Sequence, residues 1–329
     1  MNKPTVYNKF FDKEKWKEVN KYNKDLMEDF LIELKAQKKK QGTIDQYKND
    51  IRIILIYIYD ELDNKAIHKL KKKQFRNLML HFQDKGMSNA RINRLMSALR
   101  SMLEFASNEE DYEDDIEINY AAKVKGLSKE SVREIFFLSD EKIEKMYNYL
   151  KENKEYQKAC YLAMLYDTAG RRNEIHQIKK DGLLENNFTN KVVGKRGKVF
   201  TLIYFDRSKE AIELWLNQRG EDDIESLWVV GNEDQRRPAS YVTLYNWVQD
   251  FVKLHEQLFG EKVQFNAHSF RHSALESLST GDHYLCKKLN KKFDLQELKL
   301  LAHHSDISTT DGYLKNKDDE QLAQAFCLQ

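Results

Sequence analysis

Proline is nearly absent from this chain, with 2 residues in 329, and glycine contributes only 12. So few helix breakers, beside abundant Lys, Glu, Leu and Ile, exclude a Pro/Gly-rich polymer and favour a mostly helical chain. Cysteine is scarce too. Cys160, Cys286 and Cys327 are scattered, odd in number and form no CxxC. That excludes a disulfide framework and suits a reducing cytoplasm. No apolar run approaches membrane-spanning length, and the N-terminus lacks the apolar stretch of a secretory signal. The expectation is a soluble, intracellular protein.

What is present is a core. Hydrophobic residues make up 41% and aromatics 12%, enough for a folded globular chain, and the length allows two domains. Net charge is only +2, so bulk electrostatics says little, but its distribution is uneven. Lys65 to Arg100 holds ten Lys/Arg and one acid, whereas Ser101 to Ile118 holds eight acids and no Lys/Arg. The basic block can neutralise several phosphates of a nucleic acid; the alternative is a pair of solvated helix faces.

Apolar periodicity places the elements. Thr43-Ile44-Asp45-Gln46 has the form of a capping box, followed by Tyr47, Ile51, Ile54, Leu55 and Ile58 at helical spacing. Ser88 is suited to cap a helix whose buried stripe is Ile92, Leu95, Met96, Leu99 and Leu103, leaving Arg91, Arg94 and Arg100 on its other faces. A short helix around Gln74–Phe82 and another over Asp25–Leu34 complete a helical domain. The acidic stretch "NEEDYEDDIEIN" (Asn108–Asn119) breaks this pattern and reads as a linker. A second domain opens at "LSDEKIEKMYNYL". Its helix "YQKACYLAMLYDTAG" is apolar on most sides and therefore central. Two β-rich runs flank Gly194-Lys195-Arg196-Gly197, which reads as a hairpin. Helical patterns return at Ser208–Gln218, Val242–Leu258 and from Ser269.

Four motifs in this second domain carry chemistry-bearing side chains. "TAGRRNEI" (Thr168–Ile175) delivers Arg171 where a buried helix ends. "VVGKRGKVF" puts Lys195 and Lys198 on the hairpin. "HSFRH" sets His268 and Arg271 three apart, on one helix face. "LAHHSDISTTDGYLK" (Leu301–Lys315) carries His304 and Tyr313. In this order the motifs resemble the tyrosine recombinase (phage integrase) family. Its pattern is similar to T-G-x-R-x-S-E-L, G-K-G-x-K on a hairpin, H-x-L-R-H, and L-G-H-S-x-x-x-T-T-x-x-Y. The resemblance spans about residues 130–320, and the basic helical domain before it is similar to the family's core-binding domain.

The resemblance implies a fold that is mainly α with a small antiparallel sheet, arranged as a two-domain clamp. The domains would be residues 1–107 (helical, core-binding-like), 108–130 (acidic linker) and 131–329 (catalytic, with a C-terminal tail). It implies catalytic roles for Arg171, Lys195, His268, Arg271, His304 and Tyr313, with Glu174 in support. Tyr313 would attack a DNA phosphodiester, leaving a 3′-phosphotyrosyl link and expelling the 5′-oxygen. Arg171 and Arg271 would hold the non-bridging oxygens, because guanidinium forks fit that geometry better than lysines. Lys195, or Lys198 in its place, would protonate the leaving oxygen. His268 would manage the phenol proton, since tyrosine's ordinary pKa is about 10. Candidate DNA contacts are Lys71, Lys72, Lys73, Arg76, Arg91, Arg94 and Arg100. Double-stranded DNA is the expected partner, and the tail Asn316–Gln329, with Leu322, Ala325, Phe326 and Leu328 at helical spacing, is suited to dock on a neighbouring protomer or on its own domain. No cofactor is implied. His268 and His272 stand at i, i+4, but no Glu completes H-E-x-x-H, so no metal site is expected.

Three features depart from the pattern. Ala169 and His303 stand where glycine is expected, and the side chain of His303 is in a position to crowd the phosphate. The segment Asp282–Asp294 adds about ten residues between Arg271 and His304. Basic and aromatic, it is suited to contact DNA or to displace the last helices. The departures motivate a second reading, a catalytically inactive member of the fold that acts as a DNA-binding repressor or architectural factor.

Overall fold

The computed structural model describes residues 6–128 and 136–304. Tyr313, the tail Asn316–Gln329 and Cys327 lie outside the described residues. The chain divides into two compact units, Met1–Arg133 and Glu134–Gln329, each with its own apolar core.

The first unit contains α1 (Val6–Phe10), α2 (Lys13–Glu18), α3 (Lys21–Ala36), α4 (Gln41–Glu61), α5 (Lys72–Asp84) and α6 (Asn89–Ala106). Leu26 and Met27 of α3, Ile51, Ile54, Leu55 and Ile58 of α4, and Leu95, Met96 and Leu99 of α6 are fully buried. They recur every three or four residues, so each helix turns one stripe inward; each such side chain stabilises the unit by roughly 1.5–3 kcal/mol. Ser88 caps α6 as expected, its Oγ accepting from the Arg91 N–H at 3.4 Å. The Thr43 cap is not formed. Thr43 and Ile44 N–H both donate to the Lys40 carbonyl, so the first turn of α4 closes earlier, on Lys40.

The acidic stretch is not a bare linker. Its charged residues face solvent while Tyr112, Ile116, Ala121 and Val124 are buried in the first unit's core. The Tyr112 hydroxyl donates to Asp29 at 2.5 Å. Asn93 of α6 exchanges two hydrogen bonds with the Leu127 backbone, both 2.9 Å. Seven acids between Asn108 and Asn119 masked a sparse apolar pattern that nonetheless finds the core.

The second unit begins with α7 (Asp140–Glu152), capped by Ser139, and α8 (Tyr156–Asp167). Ala159 to Asp167 are all buried, because α7, α10 (Asp206–Arg219) and α12 (Ala267–Thr280) pack around α8. Between α8 and α10 lie α9 (Arg172–His176) and the antiparallel hairpin of β1 (Val192–Val193) and β2 (Val199–Phe200), with Val193 opposite Val199. A second two-stranded pair, β3 (Val229–Val230) and β4 (Arg237–Pro238), was not expected from the sequence, its strands being too short for a periodic signal. Then come α11 (Tyr241–Phe259), α12, α13 (Tyr284–Leu289) and α14 (Leu295–Leu301). The fold is mainly helical with small antiparallel pairs. Among the described residues, no helix is long and apolar enough to cross a membrane.

The inserted segment is built into this unit. It forms α13, with Leu285 and Cys286 buried. The Tyr284 hydroxyl donates to Asp167 at 3.0 Å and accepts from the Arg207 N–H at 3.2 Å. Arg207 in turn bridges Asp140 and Glu144 at 3.2 and 2.7 Å. Burial pushes the Asp167 carboxyl up to about 6, against the opposing pull of Arg207 and Ser208.

Candidate active site

The turn after α8 builds one wall. Thr168 Oγ1 donates to the Met164 carbonyl at 2.7 Å and accepts from the Gly170 N–H at 2.9 Å. Ala169 takes φ +47°, the left-handed turn where glycine was expected. Arg171 follows at the N-cap of α9. Buried Glu174 holds it twice, accepting from the Arg171 backbone N–H at 2.8 Å and from Nη1 at 2.9 Å. Arg172 is drawn elsewhere, its guanidinium lying 4.0 Å over the Tyr241 ring. This separates the two adjacent arginines.

Arg271, on α12, is buried at the centre. Nη1 donates to the Ala169 carbonyl at 2.5 Å, Nη2 donates to the Ala302 carbonyl at 2.5 Å, and Nη2 also lies 2.5 Å from His304 Nε2. One guanidinium thus ties the turn after α8 to the turn after α14. Because an arginine can only donate, His304 Nε2 must accept, which fixes a neutral imidazole protonated on Nδ1. Burial, then the charges of Arg271 and Arg171, hold His304 down to about 3. His268 keeps solvent access but is held down to about 4 by desolvation, then by His272, Arg271 and Arg171. The His268 and His272 rings meet edge to face at 5.1 Å. The result is a cluster of two guanidiniums and two neutral imidazoles, in which the guanidinium charges favour an arriving anion.

The hairpin lysines are placed differently from each other. Lys195 is exposed at the tip, beside Arg196 at φ +62°. Lys198 reaches back, its Nζ 3.5 Å from the His303 carbonyl. His303 does not stand over the pocket unsupported. Its backbone is left-handed, φ +52°, and its ring stacks on Phe200 with centroids 3.9 Å apart. Among the described residues, no group of three or more His, Cys, Asp or Glu side chains is arranged to hold a metal ion.

In the first unit, Lys71, Lys72, Lys73 and Arg76 are exposed around the start of α5. The other three basic candidates have partners inside the unit, and Arg94 remains exposed. Arg91 and Arg94 both pair with buried Asp50, at 2.6 and 3.0 Å. Arg100 donates to the Ala121 and Val124 carbonyls at 3.1 and 2.9 Å, pinning the acidic segment to α6. A lone buried carboxylate forty residues upstream gave no sequence signal of these ties.

The phage integrase family matches residues 137–320, and the phage integrase N-terminal SAM-like domain matches residues 17–110. The chain belongs to the phage integrase family, the tyrosine recombinases. Among individual proteins it is similar to the SPbeta prophage-derived recombinase-like protein YomM of Bacillus subtilis strain 168, 24% identical over 94% of this chain and 92% of that protein. It is also similar to the tyrosine recombinase XerC of Staphylococcus carnosus, 24% identical over 92% of this chain and 95% of that protein. In fold it resembles the Tn1549 transposon integrase in complex with transposon right end DNA, with a TM-score of 0.66, 16% identity and coverage of 91% of this chain and 99% of that one. The lambda integrase tetramer bound to a Holliday junction gives 0.65 at 15% identity, covering 89% and 77%.

Proposed function

We propose that this protein is a site-specific DNA recombinase, an integrase or resolvase, that breaks and rejoins strands through a phosphotyrosyl intermediate on Tyr313. The observation that carries this reading is the convergence of Arg171, Arg271, His268 and His304, with both imidazoles kept neutral. The two guanidiniums take the non-bridging oxygens of the scissile phosphate. The Tyr313 oxygen bonds to phosphorus as the P–O5′ bond breaks. His268 accepts the phenol proton, and Lys195 returns a proton to the 5′-oxygen. Rejoining is the same step reversed on another strand, so the bond energy stays in the enzyme–DNA link and no nucleotide is consumed. Lys71, Lys72, Lys73 and Arg76 contact DNA phosphates, and the tail Asn316–Gln329 joins protomers on the DNA.

The test uses a duplex site selected from a random-sequence pool by binding to the full chain, nicked beside the cleavage position so that the reaction cannot reverse. The expected result is a covalent protein–DNA band from the parent and none from Tyr313→Phe, with binding retained. A chain that binds its site and forms no band would instead be an inactive DNA-binding protein.

A further inference from the structure

The β1–β2 hairpin is too short to hold itself. Two residue pairs make its ladder, and Val193 and Val199 stand 40% and 57% exposed. A pairing of that size is marginal in water and needs an anchor elsewhere. β1 is held by buried Val192 and by Gln177, which exchanges two hydrogen bonds with the Val193 backbone at 2.9 and 3.0 Å; for β2 the anchor runs through Phe200. On one side its ring lies against Gly194, where an added Cβ would sit only 2.6 Å from the ring. On the other side it stacks on His303 at 3.9 Å and an interplanar angle of 23°. Gly194 is the residue before Lys195, and His303 is the residue before His304. A single ring therefore joins the root of the lysine-bearing tip to the turn that carries the phosphate-facing imidazole. A further tie runs from the residue before β2 to the same turn, Lys198 Nζ lying 3.5 Å from the His303 carbonyl.

His303 holds this place at φ +52°, a backbone region that disfavours any residue with a Cβ. Glycine there would leave the turn unstrained and Phe200 uncovered. We propose that His303 is a positioning residue whose ring latches the β1–β2 hairpin to the His304 turn, setting where the lysine-bearing tip stands during strand cleavage. The role in cleavage rests on the reading of the site given above; the latch does not.

Hydrogen exchange of the full chain tests the latch without DNA. In His303→Gly, amides in Val192–Phe200 are expected to exchange about tenfold faster while the melting temperature stays the same or rises. Phe200→Ala is expected to give the same faster exchange, and His303→Phe, which keeps an aromatic face, to restore most of the protection. With the selected nicked duplex, His303→Gly is expected to slow covalent trapping about tenfold at unchanged DNA affinity, with His303→Phe recovering most of it. Unchanged exchange in both His303→Gly and Phe200→Ala would overturn the latch. Faster exchange with an unchanged trapping rate would overturn its role in cleavage. A parent chain that traps no DNA would overturn the recombinase reading alone, leaving the exchange result to decide the latch.

Discussion

Ala169 and His303 both occupy left-handed backbone beside the pocket, at φ +47° and +52°. For Ala169 the magnitudes nearly cancel. Left-handed backbone costs a residue with a Cβ roughly 1–2 kcal/mol. Against that, glycine would forfeit a buried methyl, about 0.8 kcal/mol, and would loosen the unfolded chain by about 0.4–1 kcal/mol. Ala169→Gly is therefore expected to stay within about 1 kcal/mol of the parent in urea unfolding. Ala169→Val adds a branched Cβ at the same φ and moves the carbonyl that Arg271 Nη1 holds. It is expected to lose about 2 kcal/mol or more. A valine variant as stable as the parent would show that the turn is not strained. The glycines of the family pattern thus mark a backbone shape, and this chain keeps that shape with other residues.

At the level of elements, most helices were legible because their apolar stripes repeat every three or four residues. The stripes of α4 and α6 are examples, whereas α8 was legible because it is apolar on most sides. Legibility failed where a long-range partner decided the outcome. Arg91, Arg94 and Arg100 read only as candidate DNA contacts, and nothing in the sequence signalled their ties to Asp50 and two backbone carbonyls. The acidic stretch read as a linker because only Tyr112, Ile116, Ala121 and Val124 carry its packing. The inserted segment gave no sign that Tyr284 would bond Asp167. Of the proposed site, Arg171, His268, Arg271 and His304 were legible by motif, whereas Glu174's double hold on Arg171 and the stacking of His303 required the fold. These ties have a consequence for the DNA-binding predictions. Replacing Lys72 and Lys73 by Ala is expected to lower the slope of log affinity against log salt by about two, leaving the melting temperature unchanged. Arg100→Ala is expected to do the reverse, keeping the slope and lowering the melting temperature as the acidic segment comes loose. Fluorescence anisotropy and calorimetry read the two effects separately, and an exchange of the two phenotypes would contradict the assignment.

For the whole molecule, buried His283 and His304 and the more exposed His268 shape the response to acid. His268 is held at about 4, and His283 and His304 at about 3. Each is neutral in the folded chain and gains a proton in the unfolded chain below about pH 6.5, so stability is full above that pH and falls as pH drops toward 4. Asp167, held up at about 6, acts oppositely: its contribution is present below the unfolded carboxylate range and lost as pH rises through 6. Buried His283 and His304 together outweigh the one aspartate, and the melting temperature is expected to fall between pH 6.5 and 4. His283 also caps α13, its Nδ1 accepting from the Leu285 N–H. His283→Asn keeps a cap while removing the titration, and is expected to flatten the profile.

The same folded unit brings Arg171, Arg271, His268 and His304 together, and the proposed chemistry needs one further atom, the Tyr313 oxygen. Protease digestion and mass spectrometry of the chain trapped on its selected nicked duplex locate that atom directly. The account expects the nucleotide on the peptide containing Tyr313, joined through a 3′-phosphate. A nucleotide joined to any other residue, or no adduct from a chain that binds the duplex, would contradict it.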